Sequence, residues 1–116
     1  SGGDGAPDPM RITLVYAVYG EEAQARAAAD MAVERHLAAC ANIMTACTSV
    51  YRWEGQVVRA GEIPVLFKTT AARRDALMAA LAQTHGYEVP AILSWETDKT
   101  HDPFALWVAG EVDGEV

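Results

Sequence analysis

The chain has 116 residues, of which 51% are hydrophobic, and its formal net charge is −7. This length fits one domain, and the hydrophobic fraction is sufficient for a buried core. Nucleic acids and anionic membranes both bind clustered Lys and Arg. The negative net charge therefore argues against either of them as a partner.

The first nine residues, SGGDGAPDP, are rich in Gly, Asp and Pro. We expect a disordered tail here, part of it introduced for expression, ahead of a single domain over residues 10–116. No apolar run reaches the roughly 20 residues that span a bilayer, and no basic start is followed by an apolar segment. We therefore expect a cytoplasmic protein.

The chain alternates between strand and helix patterns at its start. Residues 11–19 (RITLVYAVY) form a short run of β-formers and predict a strand. Glu21 and Glu22 then suit the N-terminal end of a helix dipole, and the pattern predicts a helix over residues 22–37. Its inward face would carry Ala28, Met31 and Ala32.

A long hairpin dominates the middle of the sequence. Residues 41–53 and 56–68 both favour strand, and Glu54-Gly55 between them predicts a tight turn with Gly55 at positive φ. Each arm would extend roughly 40 Å, about twice the usual strand length. We expect the overhang to pair with another copy of the chain, and the second arm to bend or change partners near Pro64.

The last third repeats the helix and strand pattern. Thr70 is the predicted N-cap of a helix over residues 71–84, with Leu77, Ala80 and Leu81 inward and Gly86 at C′. A strand over residues 90–96 follows, and Asp102-Pro103 predicts the entry of a short terminal helix. The order β-α-β-β-α-β plus one helix predicts an α+β, ferredoxin-like fold.

Cys40 and Cys47 are the only cysteines. On one continuous strand they would lie on opposite faces and roughly 20 Å apart, too far for a disulfide. We predict two free thiols, as in a reducing compartment.

Three kinds of site are disfavoured by the residues themselves. A phosphate cradle after the first strand would place Glu21 and Glu22 against the anion. Tyr51 and Trp53 share a strand face and could stack RNA bases, but the net charge of −7 favours packing instead. Neither cysteine has a histidine base in a recognised hydrolase signature, so we expect no enzyme activity.

Metal ligation and an inter-subunit cleft stay open. Glu62 and Lys68 lie inside a strand-like run, either as edge protection or pointing into a cleft between subunits. A thiolate with imidazoles would favour copper, although no paired zinc spacing is present. The candidate ligands are Cys40, His36, His85, Glu88, Asp98, His101 and Asp102.

Several separated segments resemble the CutA family of divalent-cation tolerance proteins over about residues 13–108. These are LAACANI (37–43), TSVYRWEG (48–55), Glu62, LFKTT (66–70), HGYEVP (85–90) and Trp107. The chain departs from the usual pattern at Gly86, where a proline is typical, at Ala91, which removes a carboxylate, and at Ala17, where some members carry a cysteine.

The resemblance implies a homotrimer similar in shape to the PII signalling proteins, with hairpins extending each sheet into the next subunit. It implies copper or divalent-metal tolerance without an obligatory cofactor, with Cys40 and His85 as metal candidates. The implied cleft residues are Tyr51, Trp53, Glu62, Lys68, His85, Tyr87 and Glu88. The alternative is a PII-like sensor or scaffold that binds a small molecule between subunits, for example an anion near Lys68.

Overall fold

The computed structural model describes residues 10–113, so the predicted tail and the last three residues lie outside the described part. The elements in chain order are β1 (Thr13–Tyr19), α1 (Glu22–Glu34), β2 (Cys40–Ile43), β3 (Cys47–Trp53), β4 (Gln56–Thr69), α2 (Ala71–Thr84), β5 (Ile92–Glu96) and α3 (Asp102–Asp113). The predicted α+β, ferredoxin-like order with an extra terminal helix is confirmed.

All strands belong to one antiparallel sheet. Its order is β2-β4-β1-β5, and β3 pairs with the first half of β4. The helices α1 and α2 contact each other and pack on one face of β1, where Val15, Ala17 and Tyr19 alternate inward. Alanines on α1 allow this close approach, and Leu77, Ala80 and Leu81 of α2 complete the core as predicted. A second cluster joins α3 to Ile12 and Leu14 at one end of the sheet.

The first hairpin arm is not one continuous strand, and this part of the prediction is wrong. Residues 44–46 separate β2 from β3, and β4 passes from one partner to the other between Glu62↔Cys47 and Val65↔Ile43. The change of partners near Pro64 is therefore confirmed. Met44 N–H donates to the Pro64 carbonyl at 2.9 Å. Pro64, which has no N–H to donate, lies between the pairing of β4 with β3 and its pairing with β2, and within neither of them.

The second arm overhangs the rest of the sheet. The pairing of β1 with β4 ends at Tyr19↔Ile63, so Gln56–Glu62 have β3 on one side and, within residues 10–113, no strand on the other. The turn at its tip has Glu54 at φ 49° and Gly55 at φ 80°. This confirms the predicted positive φ of Gly55, and it gives both central residues the left-handed backbone of a type I′ turn.

Helix α1 ends at Glu34, three residues before the predicted end. His36 takes φ 59°, and the N–H groups of His36 and Leu37 return to the carbonyls of Val33 and Ala32. This is a Schellman motif built without glycine, so composition alone did not reveal it.

Smaller boundary differences occur elsewhere. β1 begins two residues later than predicted, β5 begins at Ile92, and α3 begins at Asp102 itself. Gly86 is not a left-handed C′ residue, because His85 after α2 is already extended (φ −74°, ψ 146°). Thr70 does cap α2, with its side chain accepting from Arg73 N–H. None of the helices within residues 10–113 has the length and apolar character required to cross a bilayer.

Candidate functional site

A cavity of about 680 Å³ lies where the β3-β4 hairpin meets the segment after α2. Its walls combine apolar, aromatic and acidic side chains from three parts of the chain. The hairpin provides Ser49, Val50, Tyr51, Trp53 and Glu62; β1 provides Val18; and the segment after α2 provides Gly86, Tyr87, Glu88, Val89 and Ala91.

Glu62 is the most buried charged side chain of this wall. It is 8% exposed and lies at the point where β4 leaves the main sheet. The two ion pairs within residues 10–113 both lie elsewhere, at Arg26–Glu22 and Arg74–Asp75. The carboxylate therefore faces the cavity without a cationic partner in the described part of the chain, an arrangement that favours binding of a cation or of further donors.

Tyr87 holds the Glu62 carboxylate. Its hydroxyl donates to Glu62 Oε2 at 2.8 Å. Burial is the largest cause that raises the pKa of Tyr87, and together with the hydrogen bond and charge of Glu62 and with nearby Tyr51 it brings that pKa to about 12. The hydroxyl keeps its proton at neutral pH and acts as a donor.

Gly20 makes room for this contact. A Cβ atom at residue 20 would lie 2.7 Å from the Tyr87 hydroxyl oxygen. A side chain there would force the tyrosine ring away, so the turn after β1 and the segment after α2 fit together only with glycine at this position.

His85 packs behind the cavity wall and contacts Val18, Tyr87 and Tyr19. Its Nε2 lies 2.7 Å from the Val18 carbonyl, and its Nδ1 accepts from Tyr87 N–H at 3.0 Å. A carbonyl only accepts and an amide N–H only donates, so these partners assign a neutral imidazole with the proton on Nε2. The ring also stacks on Tyr19, with centroids 4.4 Å apart.

The structure brings together five of the predicted cleft residues and places His85 beside them. The five are Tyr51, Trp53, Glu62, Tyr87 and Glu88. Lys68 lies apart, because it is six positions along β4 from Glu62, a distance of about 20 Å. Its ammonium donates to Asn42 Oδ1 on β2.

Cys40 lies at the Lys68 end of the sheet. It pairs with Lys68 in register, whereas His85 contacts Val18, which pairs with Pro64. Pro64 and Lys68 are four positions apart on β4, about 13 Å along the strand. Both cysteines are free thiols, Cys40 partly buried and Cys47 exposed, as predicted.

The other metal candidates are dispersed. His36 Nδ1 donates to the Glu111 carbonyl at 2.8 Å, and Asp98, His101 and Asp102 are exposed residues around the start of α3. In the part of the chain that the structure describes, no three His, Cys, Asp or Glu side chains are grouped to hold a metal ion.

Several wall residues were not anticipated from the sequence. Ser49 shares a strand face with Tyr51 and Trp53 by simple alternation, so the strand period could have revealed it. Val18 and Val89 reach the cavity only through the tertiary fold. Gly86 and Ala91, two positions where the chain departs from the family pattern, both line this cavity.

The comparisons with known proteins agree with this fold. The family model described as CutA1 divalent ion tolerance protein matches residues 13–111. The chain is 35% identical over 99 residues to the divalent-cation tolerance protein CutA of Thermus thermophilus. The matched region covers 85% of this chain and 95% of that protein. It is 28% identical over 100 residues to mouse Protein CutA, covering 86% of this chain but only 56% of the mouse protein.

Solved structures show the same likeness. The divalent ion tolerance protein CutA1 of Ehrlichia chaffeensis superposes with a TM-score of 0.84 at 30% identity, covering 87% of this chain and 94% of that one. The periplasmic divalent cation tolerance protein CutA of Archaeoglobus fulgidus gives 0.84 at 25% identity, covering 87% and 98%. The chain belongs to the CutA1 divalent ion tolerance family.

Proposed function

We propose that the protein acts in divalent-cation tolerance by binding a divalent cation, copper among the candidates, in the cavity beside Glu62. Membership of the family supports the role in tolerance. The observation that carries direct binding is the Glu62 carboxylate, which is 8% exposed, held by Tyr87 and without a cationic partner within residues 10–113. A nearly buried carboxylate is stabilised by a cation that enters the cavity.

The proposed role is binding without catalysis and without an obligatory cofactor. The Tyr87 hydroxyl, with a pKa of about 12, retains its proton and offers no nucleophile at neutral pH. Glu62 and Glu88 are oxygen ligands of the kind that divalent cations accept.

The working unit in this proposal is a homotrimer. Two observations support it: the open side of Gln56–Glu62, and the exposure of Trp53, Trp95 and Trp107, which are 48%, 45% and 45% exposed. Two carboxylates of one subunit are too few for a tight cation site, so a second copy would supply further ligands. A monomer found by light scattering at micromolar concentration would contradict this assembly.

Cys40 and His85 enter the proposal differently. His85 uses both ring nitrogens within the subunit, so it can ligate a metal only by giving up the Val18 or the Tyr87 bond. Cys40 lies outside the cavity wall and would bind copper at a separate place. The Cys40→Ser and His85→Ala variants test these two ligands, and unchanged copper affinity in both removes them.

The test is isothermal titration of metal-stripped protein with Zn(II) and Cu(II), comparing Glu62→Gln with Glu54→Gln as a matched control. Glu54 lies at the exposed hairpin tip. We expect Glu62→Gln to weaken uptake about tenfold or more, because the variant keeps the shape but loses the charge, and Glu54→Gln to bind like the unchanged chain. Equal uptake by both variants would contradict the site.

The cytoplasmic location remains part of the proposal. The Archaeoglobus fulgidus relative is described as periplasmic, so fractionation of the native host is the direct test. Recovery of the protein with periplasmic markers would overturn this point and leave the cation site unaffected.

A second candidate function is a PII-like sensor or scaffold that binds an organic molecule. The volume of about 680 Å³ and the exposed aromatic walls favour it, because sites for small organic molecules have this size and character. An anion near Lys68 would bind about 20 Å from Glu62, outside this cavity. Native mass spectrometry of protein purified without added metal would reveal a retained organic ligand.

A further inference from the structure

The walls of the Glu62 cavity hold one kind of charge. Glu62 and Glu88 line it, and no Lys or Arg of residues 10–113 does so. A carboxylate offers about four lone-pair positions, and the hydrogen bond from Tyr87 occupies one of them. The cavity therefore attracts a positively charged ligand.

The same walls carry three aromatic rings. Tyr51 and Trp53 extend from β3, and Tyr87 faces them from the segment after α2. Tyr51 is close enough to Tyr87 to influence its ionisation. Aromatic faces attract organic cations, and indole attracts them most strongly. Carboxylate oxygens alone would suit a metal ion, whereas the rings add a preference for a cation with an apolar surface.

The size of the cavity points the same way. Water occupies about 30 Å³ in the liquid, so a bare or partly hydrated metal ion would leave most of the 680 Å³ unfilled. Val89, which is 69% exposed, provides apolar wall beyond the carboxylate. An alkyl chain attached to the charged group would cover this side chain.

We propose that this cavity binds an organic ammonium ion, with its cationic head between the Glu62 carboxylate and the aromatic rings and its alkyl part against Val89. The proposal rests on the second candidate function and names its ligand class. It does not require that a metal ion bind the same carboxylate.

The test is a calorimetric titration with choline and, as a matched neutral probe of the same shape, 3,3-dimethylbutan-1-ol. We expect choline to bind about tenfold or more tightly than the neutral alcohol, which corresponds to the charge-dependent part of the contact. Glu62→Gln and Trp53→Leu should each weaken choline binding. Glu54→Gln, which changes a residue outside the cavity wall, should not.

Each outcome decides one point. Equal affinity for choline and its neutral isostere would overturn the proposal, because apolar contact alone would explain it. Uptake of Zn(II) without any binding of choline would overturn it and leave the metal proposal standing. If neither probe binds and Glu62→Gln instead loosens the assembly of subunits, the cavity holds a cationic side chain of another copy, and the proposal is also overturned.

Discussion

The hydroxyl of Tyr87 donates to Oε2 of Glu62 at 2.8 Å, across 25 residues of sequence. This bond joins the hairpin to the segment after α2 and fixes both walls of the cavity. It also orients a nearly buried carboxylate whose second oxygen remains available to a ligand. The proposed cation site depends on this pair more than on either cysteine.

Replacing Gly20 should break the pair without touching either member. Gly20→Ala places a Cβ 2.7 Å from the Tyr87 hydroxyl oxygen, so the ring must move away from Glu62. We expect the pKa of Tyr87 to fall from about 12 towards the ordinary 10.0, as measured by ultraviolet absorbance titration. Gly110→Ala is the control, because a Cβ there meets nothing within 4 Å. A Tyr87 that still titrates near 12 in Gly20→Ala would contradict the geometry.

Stability should fall at high pH because of the same hydroxyl. The folded protein raises the pKa of Tyr87 above 10.0 to about 12, so the folded state favours the protonated form. The resulting stabilisation is complete below pH 10 and is lost as the pH rises through about 12. Urea unfolding across this range should show a smaller loss in Tyr87→Phe than in the unchanged chain. An identical pH profile in both would show that the hydroxyl does not sense Glu62 or burial.

Tyr19 offers a contrasting hydroxyl. It is buried without a hydrogen-bond partner among residues 10–113, and burial raises its pKa to about 12. Tyr19→Phe keeps the ring that stacks on His85 and removes the unpaired hydroxyl. We expect the free energy of unfolding to rise by about 1 kcal/mol, whereas Tyr87→Phe should lower it by a similar amount. Equal destabilisation by both substitutions would mean that the Tyr19 hydroxyl has a partner.

The hairpin tip can be stabilised without affecting the cavity. Glu54 occupies the first left-handed position of the turn at φ 49°, where asparagine is preferred over glutamate. Glu54→Asn should raise the free energy of unfolding by about 0.5–1 kcal/mol. Glu54→Gln, which removes the charge but keeps the longer side chain, is the matched control. No difference between the two variants in thermal or urea unfolding would argue against backbone strain at this turn.

Restoring a carboxylate at residue 91 should strengthen cation binding. Ala91 lines the cavity, so Ala91→Glu adds negative charge near Glu62 and Glu88. We expect tighter uptake of Zn(II) by about threefold to tenfold, the size of a partly screened interaction between neighbouring charges. Ala27→Glu on the exposed face of α1 adds the same charge elsewhere. Equal affinities for the two variants would indicate that the ion binds outside this cavity.

The sequence predicted the type and order of the helices and strands better than the residues at which they end. Alternation and turn residues were sufficient to predict the hairpin turn and the start of α2. Glu54-Gly55 and Thr70 determine these features through the local backbone conformation alone. The break after β2 was missed because Met44, Thr45 and Ala46 all tolerate a strand. The residue that indicates this break is Pro64 on the neighbouring strand β4, whose carbonyl accepts from Met44 N–H. The early end of α1 was missed because His36 takes a conformation usually left to glycine.

Five of the eleven wall residues were among the predicted cleft residues, whereas Val18 and Val89 reach the cavity only through the tertiary fold. Glu62 and Lys68 share a strand face, but six residues of spacing already place them about 20 Å apart. The contact between Tyr87 and Glu62 depends on the missing side chain of Gly20, a residue that local pattern treats only as a turn. Packing of distant segments decides such contacts, and periodicity within one segment does not contain that information.

The most direct test of the cation site is anomalous diffraction from crystals of the metal-stripped protein soaked with Zn(II). We predict an anomalous peak within about 2.0–2.2 Å of a Glu62 carboxylate oxygen, the usual zinc–oxygen distance, that is absent from Glu62→Gln crystals. Zinc found only at Cys40, Cys47 or the surface histidines, with the Glu62 cavity free of it, would contradict the central claim.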